Sequence, residues 1–311
     1  MIEVEHLTKD YGQHRALDDI SFSVGKGEIV GFLGPNGAGK TTMMRILTCF
    51  FPATKGKAMV AGYDCFEDSL NVRKRIGYLP ERVPLYEDMK VTDYLAFAAG
   101  AKGVPARDVK RSVDQVVDDF GLHDVASKMI SACSRGYRQR VGLAQAVVND
   151  PDVLILDEPT VGLDPKQIQE IRRIIRDLAG KRTVILSTHI LPEVSLLCGR
   201  VIIINKGKLV AVDKPENLTA KKSSKLLLRI DGPEADIEKA ITRVEGVKAT
   251  EREQVAAGDP CGFIVDFDDE KLVRKNLQSL IAQNSWDLIE MRPIEKSLEE
   301  IFINLITKED I

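Results

Sequence analysis

Eight residues constrain this chain more than any other stretch. Gly34-Pro35-Asn36-Gly37-Ala38-Gly39-Lys40-Thr41 follows the spacing G-x-x-x-x-G-K-[ST]. The apolar run Glu28-Ile29-Val30-Gly31-Phe32-Leu33 before it reads as a buried strand, and about Gly39 to Leu47 after it reads as a helix. A strand that turns through glycines into a helix leaves backbone N–H groups facing inward, at the positive end of the helix dipole, with no side chain in the way of a phosphate oxygen. The stretch Gly34, Pro35, Asn36, Gly37, Ala38, Gly39, Lys40, Thr41 and Thr42 is therefore the expected cradle for the phosphates of ATP. Lys40 is expected to reach the β- and γ-phosphates, and the Thr41 hydroxyl to ligate Mg²⁺.

The rest of the first two thirds suits an α/β fold. Val153-Leu154-Ile155-Leu156, Thr183-Val184-Ile185-Leu186-Ser187 and Val201-Ile202-Ile203-Ile204 are continuously apolar. Such strands alternating with helices form a largely parallel sheet covered on both faces. Residues 1–33 read as short strands, with further strands at 56–62 and 76–80. From Val91 to Val148 the pattern is mostly helical, broken at Gly103-Val104-Pro105 and near Gly121. Asp164-Pro165 starts another helix, capped by Asp with Pro in the first turn, and Ile168, Ile171, Ile175 and Leu178 line one of its faces. Asp157 ends the second apolar strand, where an acid downstream of a phosphate cradle holds Mg²⁺. Glu158 follows at once and is the candidate general base for an attacking water.

Composition bounds the remaining classes. The chain has 311 residues, enough for one large domain and a smaller one, and a net charge of −3, which argues against a general nucleic-acid binder. No run approaches the roughly 18 apolar residues that span a bilayer. The start, Met1-Ile2-Glu3-Val4-Glu5, lacks the pattern of a signal peptide, so a membrane role is expected to be peripheral, through a partner. Five scattered cysteines without a C-x-x-C read as free thiols.

Further motifs resemble those of the ABC family of ATP-binding cassettes. Ser134-Arg135-Gly136-Tyr137-Arg138-Gln139-Arg140-Val141 resembles the signature region. Asp157-Glu158-Pro159-Thr160-Val161-Gly162-Leu163-Asp164 resembles the extended Walker B and D-loop. Ser187-Thr188-His189 resembles the switch histidine, and Tyr11 in Lys9-Asp10-Tyr11-Gly12 the aromatic that stacks on adenine. Together these cover about residues 2–215 in the family's order. The resemblance implies a head-to-tail dimer with each ATP between one copy's cradle and the other's signature. Ser134 and Gly136 would contact the γ-phosphate across the interface, Glu158 and His189 would be catalytic, and Asp164 would couple the two sites. Departures are Cys133 for the usual Leu, Arg135 for the first Gly and Tyr137 for the usual Gln. After Gly77-Tyr78-Leu79-Pro80, Glu81 stands at the Q-loop position as a third candidate metal ligand, offering a charge where Gln offers an amide. Arg135, Arg138 and Arg140 read as a solvated helix face near an anionic ligand.

The implied architecture is a P-loop NTPase cassette, 1–215, with antiparallel β and α-helical subdomains, the helical one about 85–150. A linker at 216–224 leads to a small α+β domain at 225–311. Its strands and helices, Lys225–Ile230, Glu234–Val244, Val247–Glu253, Gly262–Phe267, Glu270–Ala282 and Trp286–Met291, follow the ferredoxin-like order. A last helix is expected from Ser297, with Glu300 at capping-box spacing and Leu298, Ile301, Phe302 and Leu305 on one face. This extension, Glu81 and the Pro84-Leu85-Tyr86 run resemble ABC-2-type exporters of the drug-resistance, gliding-motility and sodium-efflux groups. The implied partners are ABC-2-type permeases at the inner face of the cell membrane and a second cassette, identical or different. The alternative is a soluble ABC ATPase acting on ribosome or DNA. Against it stand the single cradle and the lack of zinc motifs and long heptads.

Overall fold

The chain opens with two long strands, β1 (Ile2–Tyr11) and β2 (His14–Val24), paired antiparallel through the turn at Gly12. These are longer than the short strands expected, because the register shifts between Val4 and Leu7 and twice more before Asp10 let the pair bend and continue. The computed structural model describes residues 1–178, 180–220, 225–253, 260–294 and 302–303. They fall into two compact units, Met1–Pro215 and a second that begins at Glu216.

In the first unit β3 (Ile29–Leu33) leads through the glycine loop into α1 (Lys40–Leu47). Next come β4 (Lys55–Val60), β5 (Tyr63–Asp64), α2 (Ser69–Arg75) and β6 (Ile76–Leu79). The helical stretch is α3 (Val91–Ala101), α4 (Ala106–Asp119), two single 3₁₀ turns and α5 (Arg135–Val147). Then follow β7 (Val153–Asp157), α6 (Pro165–Leu178), β8 (Thr183–Thr188), α7 (Leu191–Leu197), β9 (Arg200–Asn205) and β10 (Lys208–Asp213). One sheet, in order β2-β1-β4-β5, is antiparallel. The other has order β10-β9-β3-β8-β7-β6, parallel from β9 to β6 with β10 antiparallel at the edge. One hydrophobic core joins both sheets to α1: Ile2, Leu7 and Ile20 meet Phe32, Met43, Ile155 and Ile185.

The parallel register positions the chemistry. Leu33 pairs with Thr188, Asp157 with Ser187, and Leu79 with Leu156. The residues that leave β3, β6, β7 and β8 therefore emerge together at the carboxyl edge of the sheet, where α/β folds place ligands. Gly34, Glu81, Glu158 and His189 all lie in those exits.

The second unit starts with α8 (Pro215–Ala220), so the polar stretch expected as linker is helical in its first half. Then come β11 (Lys225–Asp231), α9 (Glu234–Ile241), β12 (Val247–Arg252), β13 (Cys261–Phe267), α10 (Glu270–Gln283) and β14 (Asp287–Pro293). The sheet order β12-β13-β11-β14, antiparallel throughout, is the ferredoxin-like one. Leu226, Leu228 and Ile230 alternate onto the face covered by Ile237, Ile241, Val273 and Leu277 of the two helices. The helix expected from Ser297 lies outside the described residues, apart from Phe302 and Ile303.

Ile155→Ala removes a fully buried side chain from the strand between β6 and β8. It is expected to lower unfolding free energy by about 2–5 kcal/mol, read as an earlier urea midpoint. Leu196→Ala, at an exposed position, is expected to stay within about 0.5 kcal/mol.

Candidate active site

The glycine loop is shaped by close backbone approach. Gly39 has φ +105°, and a Cβ there would sit 2.5 Å from the Ala16 carbonyl oxygen. A Cβ on Gly34 would sit 2.6 Å from the Ile204 carbonyl oxygen. Both positions therefore exclude any side chain. The Gly207 N–H donates to the Ala38 carbonyl at 3.1 Å and the Asp18 N–H to the Gly207 carbonyl at 2.8 Å, which ties the loop to β2 and to the β9–β10 turn. Lys40 is buried inside this frame. Its Nζ donates to the Gly34 carbonyl at 2.7 Å and the Pro35 carbonyl at 3.2 Å, and lies 3.5 Å from Glu158 Oε1.

The two acids at the end of β7 have different surroundings. Asp157 is 1% exposed. Ser187 Oγ donates to Asp157 Oδ1, while Oδ2 is buried with no hydrogen-bond partner among the described residues. Burial pushes the Asp157 carboxyl above the usual carboxylate range, against the hydroxyls of Ser187 and Thr41, which favour the ionised form. A buried acceptor left open next to a threonine hydroxyl fits a divalent cation. Among the described residues no three His, Cys, Asp or Glu side chains cluster to hold a metal by themselves, so such a cation would need oxygens from a nucleotide as well. Glu158 adopts φ +49°, unusual for a residue with a side chain, and its N–H donates to the Ser187 carbonyl and to Ser187 Oγ, both at 3.1 Å. Its two carboxylate oxygens lie 3.0 Å from His189 Nδ1. An ionised carboxylate only accepts, so the Nδ1–H tautomer of His189 donates here.

One cavity of about 550 Å³ brings most of these groups together. Tyr11, Asn36, Gly37, Gly39, Lys40, Thr41, Thr42, Glu81, Glu158 and His189 line it, joined by His14, Ala16 and Val161. Asp157 lies behind it, and Gly34, Pro35 and Ala38 form the backbone around Lys40. The Tyr11 ring is 41% exposed, edge-on to Phe51 at 6.0 Å, with its face 5.1 Å from Lys9 Nζ. Ser134, Gly136 and Asp164, also expected, do not line the cavity either. Ser134 is exposed and caps α5, its Oγ accepting from the Tyr137 N–H at 3.4 Å. Gly136 lies under the Gln167 side chain, and Asp164 Oδ1 accepts from the Gln167 N–H at 2.9 Å at the start of α6.

Of the arginines expected as a solvated face of α5, Arg135 is exposed, but Arg138 and Arg140 are half-buried. Arg138 donates to the carbonyls of Ile130, Ser131 and Cys133 and pairs with Glu87 at 2.9 Å, which fixes the turn before the helix. Arg140 lies 4.2 Å from the Tyr137 ring centroid and donates to the Gly121 carbonyl. Arg135 donates to the Val161 carbonyl at 3.3 Å. Each of the three guanidiniums thus donates to at least one carbonyl of a neighbouring turn, a charge-assisted hydrogen bond.

Comparison with known proteins settles the family. A family model described as ABC transporter matches residues 17–161, and a second, an AAA domain described as a putative AbiEii toxin, matches residues 133–195. An uncharacterized ABC transporter ATP-binding protein of Bacillus subtilis, YhcH, is 32% identical over 100% of this chain and 98% of its own length. The chain belongs to the ABC transporter ATP-binding proteins. The bacitracin transport ATP-binding protein BcrA of Bacillus licheniformis is 32% identical over 98% of this chain and 97% of its own. A solved ATP-binding subunit of an ABC transporter superposes with a TM-score of 0.64, at 29% identity over 70% of this chain and 91% of that one. This ABC protein is an ATPase.

Two substitutions separate the cradle from the metal position. Gly39→Ala is expected to abolish binding of a fluorescent ATP analogue, because the methyl group has no room and the backbone angle is wrong. Asp157→Asn is expected to raise the melting temperature of the nucleotide-free protein at pH 7. A carboxyl whose folded pKa is raised binds its proton more tightly when folded, so stability declines as pH climbs from the unfolded to the folded value. The amide avoids that decline, and the gain over the native protein should vanish as the pH falls below both values.

Proposed function

We propose that this ATPase is the energy-coupling subunit of an ABC-2-type exporter, working as a dimer in which each ATP lies between one copy's cradle and the other's signature. One observation carries the dimer. The cradle, Glu158 and His189 share a cavity, but Ser134 and Gly136 at the start of α5 lie outside it. A capped helix N-terminus of that kind is an anion site in waiting, and the phosphate it suits belongs to another copy.

Within one site, Lys40 and the backbone of Gly34 to Thr42, in which Pro35 alone has no N–H, would bind the phosphates, and Tyr11 would stack on the base. Thr41, Asp157 and Glu81 would hold Mg²⁺, which when bound neutralises charge on the phosphate oxygens. Glu158 would accept the proton of the attacking water. His189, hydrogen-bonded to that carboxylate through Nδ1, would keep it oriented and contact the γ-phosphate. Asp164 would lie at the dimer interface and link the two sites.

A second cavity of about 770 Å³ supports docking to a permease. Phe50, Leu70, Pro84 and Tyr94 give it apolar walls, Arg45 and Arg82 contribute positive charge, and no acidic residue lines it. Lys102 reaches it from the end of α3, its amine donating to the Gln145 and Ala146 carbonyls at 2.9 and 3.3 Å, and burial lowers its pKa to about 8. An amphipathic segment of a membrane subunit with an acidic residue fits such a groove. Among the described residues no helix is long and apolar enough to cross a membrane, so attachment to the inner face of the cell membrane would come through that partner. The likeness to BcrA, whose name assigns it to bacitracin transport, runs over nearly the whole chain and favours an export role.

Gel filtration with MgATP tests the reading. Glu158→Gln keeps the shape of the side chain and removes the base. It is expected to elute as an ATP-dependent dimer while the native chain turns ATP over. A monomeric variant would remove the homodimer, and a variant that hydrolyses ATP at the native rate would remove Glu158 as the base.

A further inference from the structure

We propose that Arg135 and Gln139 are positioning residues that clamp the loop following Glu158 and so hold the base in place. They stand four residues apart in α5, on one face of the helix. Gln139 Nε2 donates to the Pro159 carbonyl at 2.6 Å, and Arg135 Nη2 to the Val161 carbonyl at 3.3 Å. Those two carbonyls lie one and three residues beyond Glu158. The Val161 N–H closes the loop on the Glu158 carbonyl at 3.3 Å. The guanidinium of Arg135 also lies against the bare face of Gly162, where a Cβ would come within 1.9 Å of Nη2. The loop is thus fixed from one side by its own turn and from the other by α5.

The clamp has something to hold. Glu158 has φ +49°, a conformation that is strained for a residue with a Cβ and relaxes unless its surroundings over-determine it. Val161 and Glu158 line the same cavity, so a loop that moves carries both the wall and the carboxylate with it. The same helix begins at Ser134, one residue before Arg135. Whatever anion engages the start of α5 is therefore mechanically linked to the base of the chain's own site. Arg135 stands where the signature it resembles has glycine, which has no side-chain donor to offer.

The inference rests on Glu158 being the base, and the test separates the two claims. Steady-state MgATP hydrolysis and amide hydrogen exchange of the 157–164 segment are measured on the full chain. Compared with the native protein are Arg135→Met, Gln139→Met, the double variant, Arg135→Lys and Glu158→Gln. The double variant is expected to lose about 100-fold in kcat with KM for MgATP changed by less than about 2-fold, since a misplaced base slows chemistry without weakening binding. Exchange in 157–164 should quicken while the rest of the chain keeps its protection, and Arg135→Lys should recover most of the loss of Arg135→Met. If the segment exchanges at the native rate in the double variant, the clamp does not exist. If exchange quickens but kcat stays, or KM rises with kcat kept, the clamp does not position the base. If protection is lost throughout the chain, Arg135→Lys decides, and a failure to restore kcat in that folded variant overturns the proposal. Native turnover by Glu158→Gln would instead bring down the assignment of the base.

Discussion

An ammonium group with almost no access to water must be surrounded by oxygen atoms, and that requirement at Lys40 governs the layout of the first unit. Two of the oxygens are carbonyls of its own loop, at Gly34 and Pro35, and a third is the Glu158 carboxylate. The loop can close on the amine only because Gly34 and Gly39 let it pass within contact of Ile204 and Ala16. Those neighbours are placed by β9 and β2, so both sheets are needed to shape one turn. A buried charge is costly unless every neighbour is in position, which makes the cradle a consequence of the whole core more than a local motif.

How much of this was legible in the sequence follows the physics of each element. The strands β3, β7, β8 and β9 are buried on both faces, so they stand out as unbroken apolar runs. The second unit was readable too, because Leu226, Leu228 and Ile230 share one face that well-formed helices cover. β1 and β2 were underestimated in length. Their register shifts fall beside His6 and Asp19, residues with positive φ that no glycine announces. Two seven-residue helices, α2 and α7, were not foreseen. α2 buries only Val72, too little to show a period, and α7 is too short for a repeated stripe.

The candidate site divides along the same line. The cradle was legible because its residues are contiguous and each has a fixed task. Ser187 was quoted only as the end of an apolar strand and as part of the switch motif, yet it donates to Asp157 and receives the Glu158 N–H. That role arises from the pairing of Asp157 with Ser187 across the sheet, which no spacing along the chain encodes. Ala16 and His14 join the cavity from the start of β2 for a similar reason: the hairpin after Tyr11 folds them back beside it. Arg138 and Arg140 were misread because charge in a sequence suggests water, whereas both are half-buried and donate to carbonyls of adjoining turns.

The adjacent acids show how one change of backbone angle divides labour between neighbours. Asp157 is still in the strand, paired with Ser187, and its side chain points into the protein, where burial raises its pKa and leaves one oxygen open. Had the strand continued, the next side chain would have faced the opposite side of the sheet. The left-handed turn at Glu158 instead brings its carboxylate back to the cavity, between the Lys40 amine and the His189 ring. One acid is thereby suited to a cation and the other to a proton, although they are chemically alike. The distinction depends on a strained residue staying strained, and the groups that hold its loop sit on the helix that begins with Ser134.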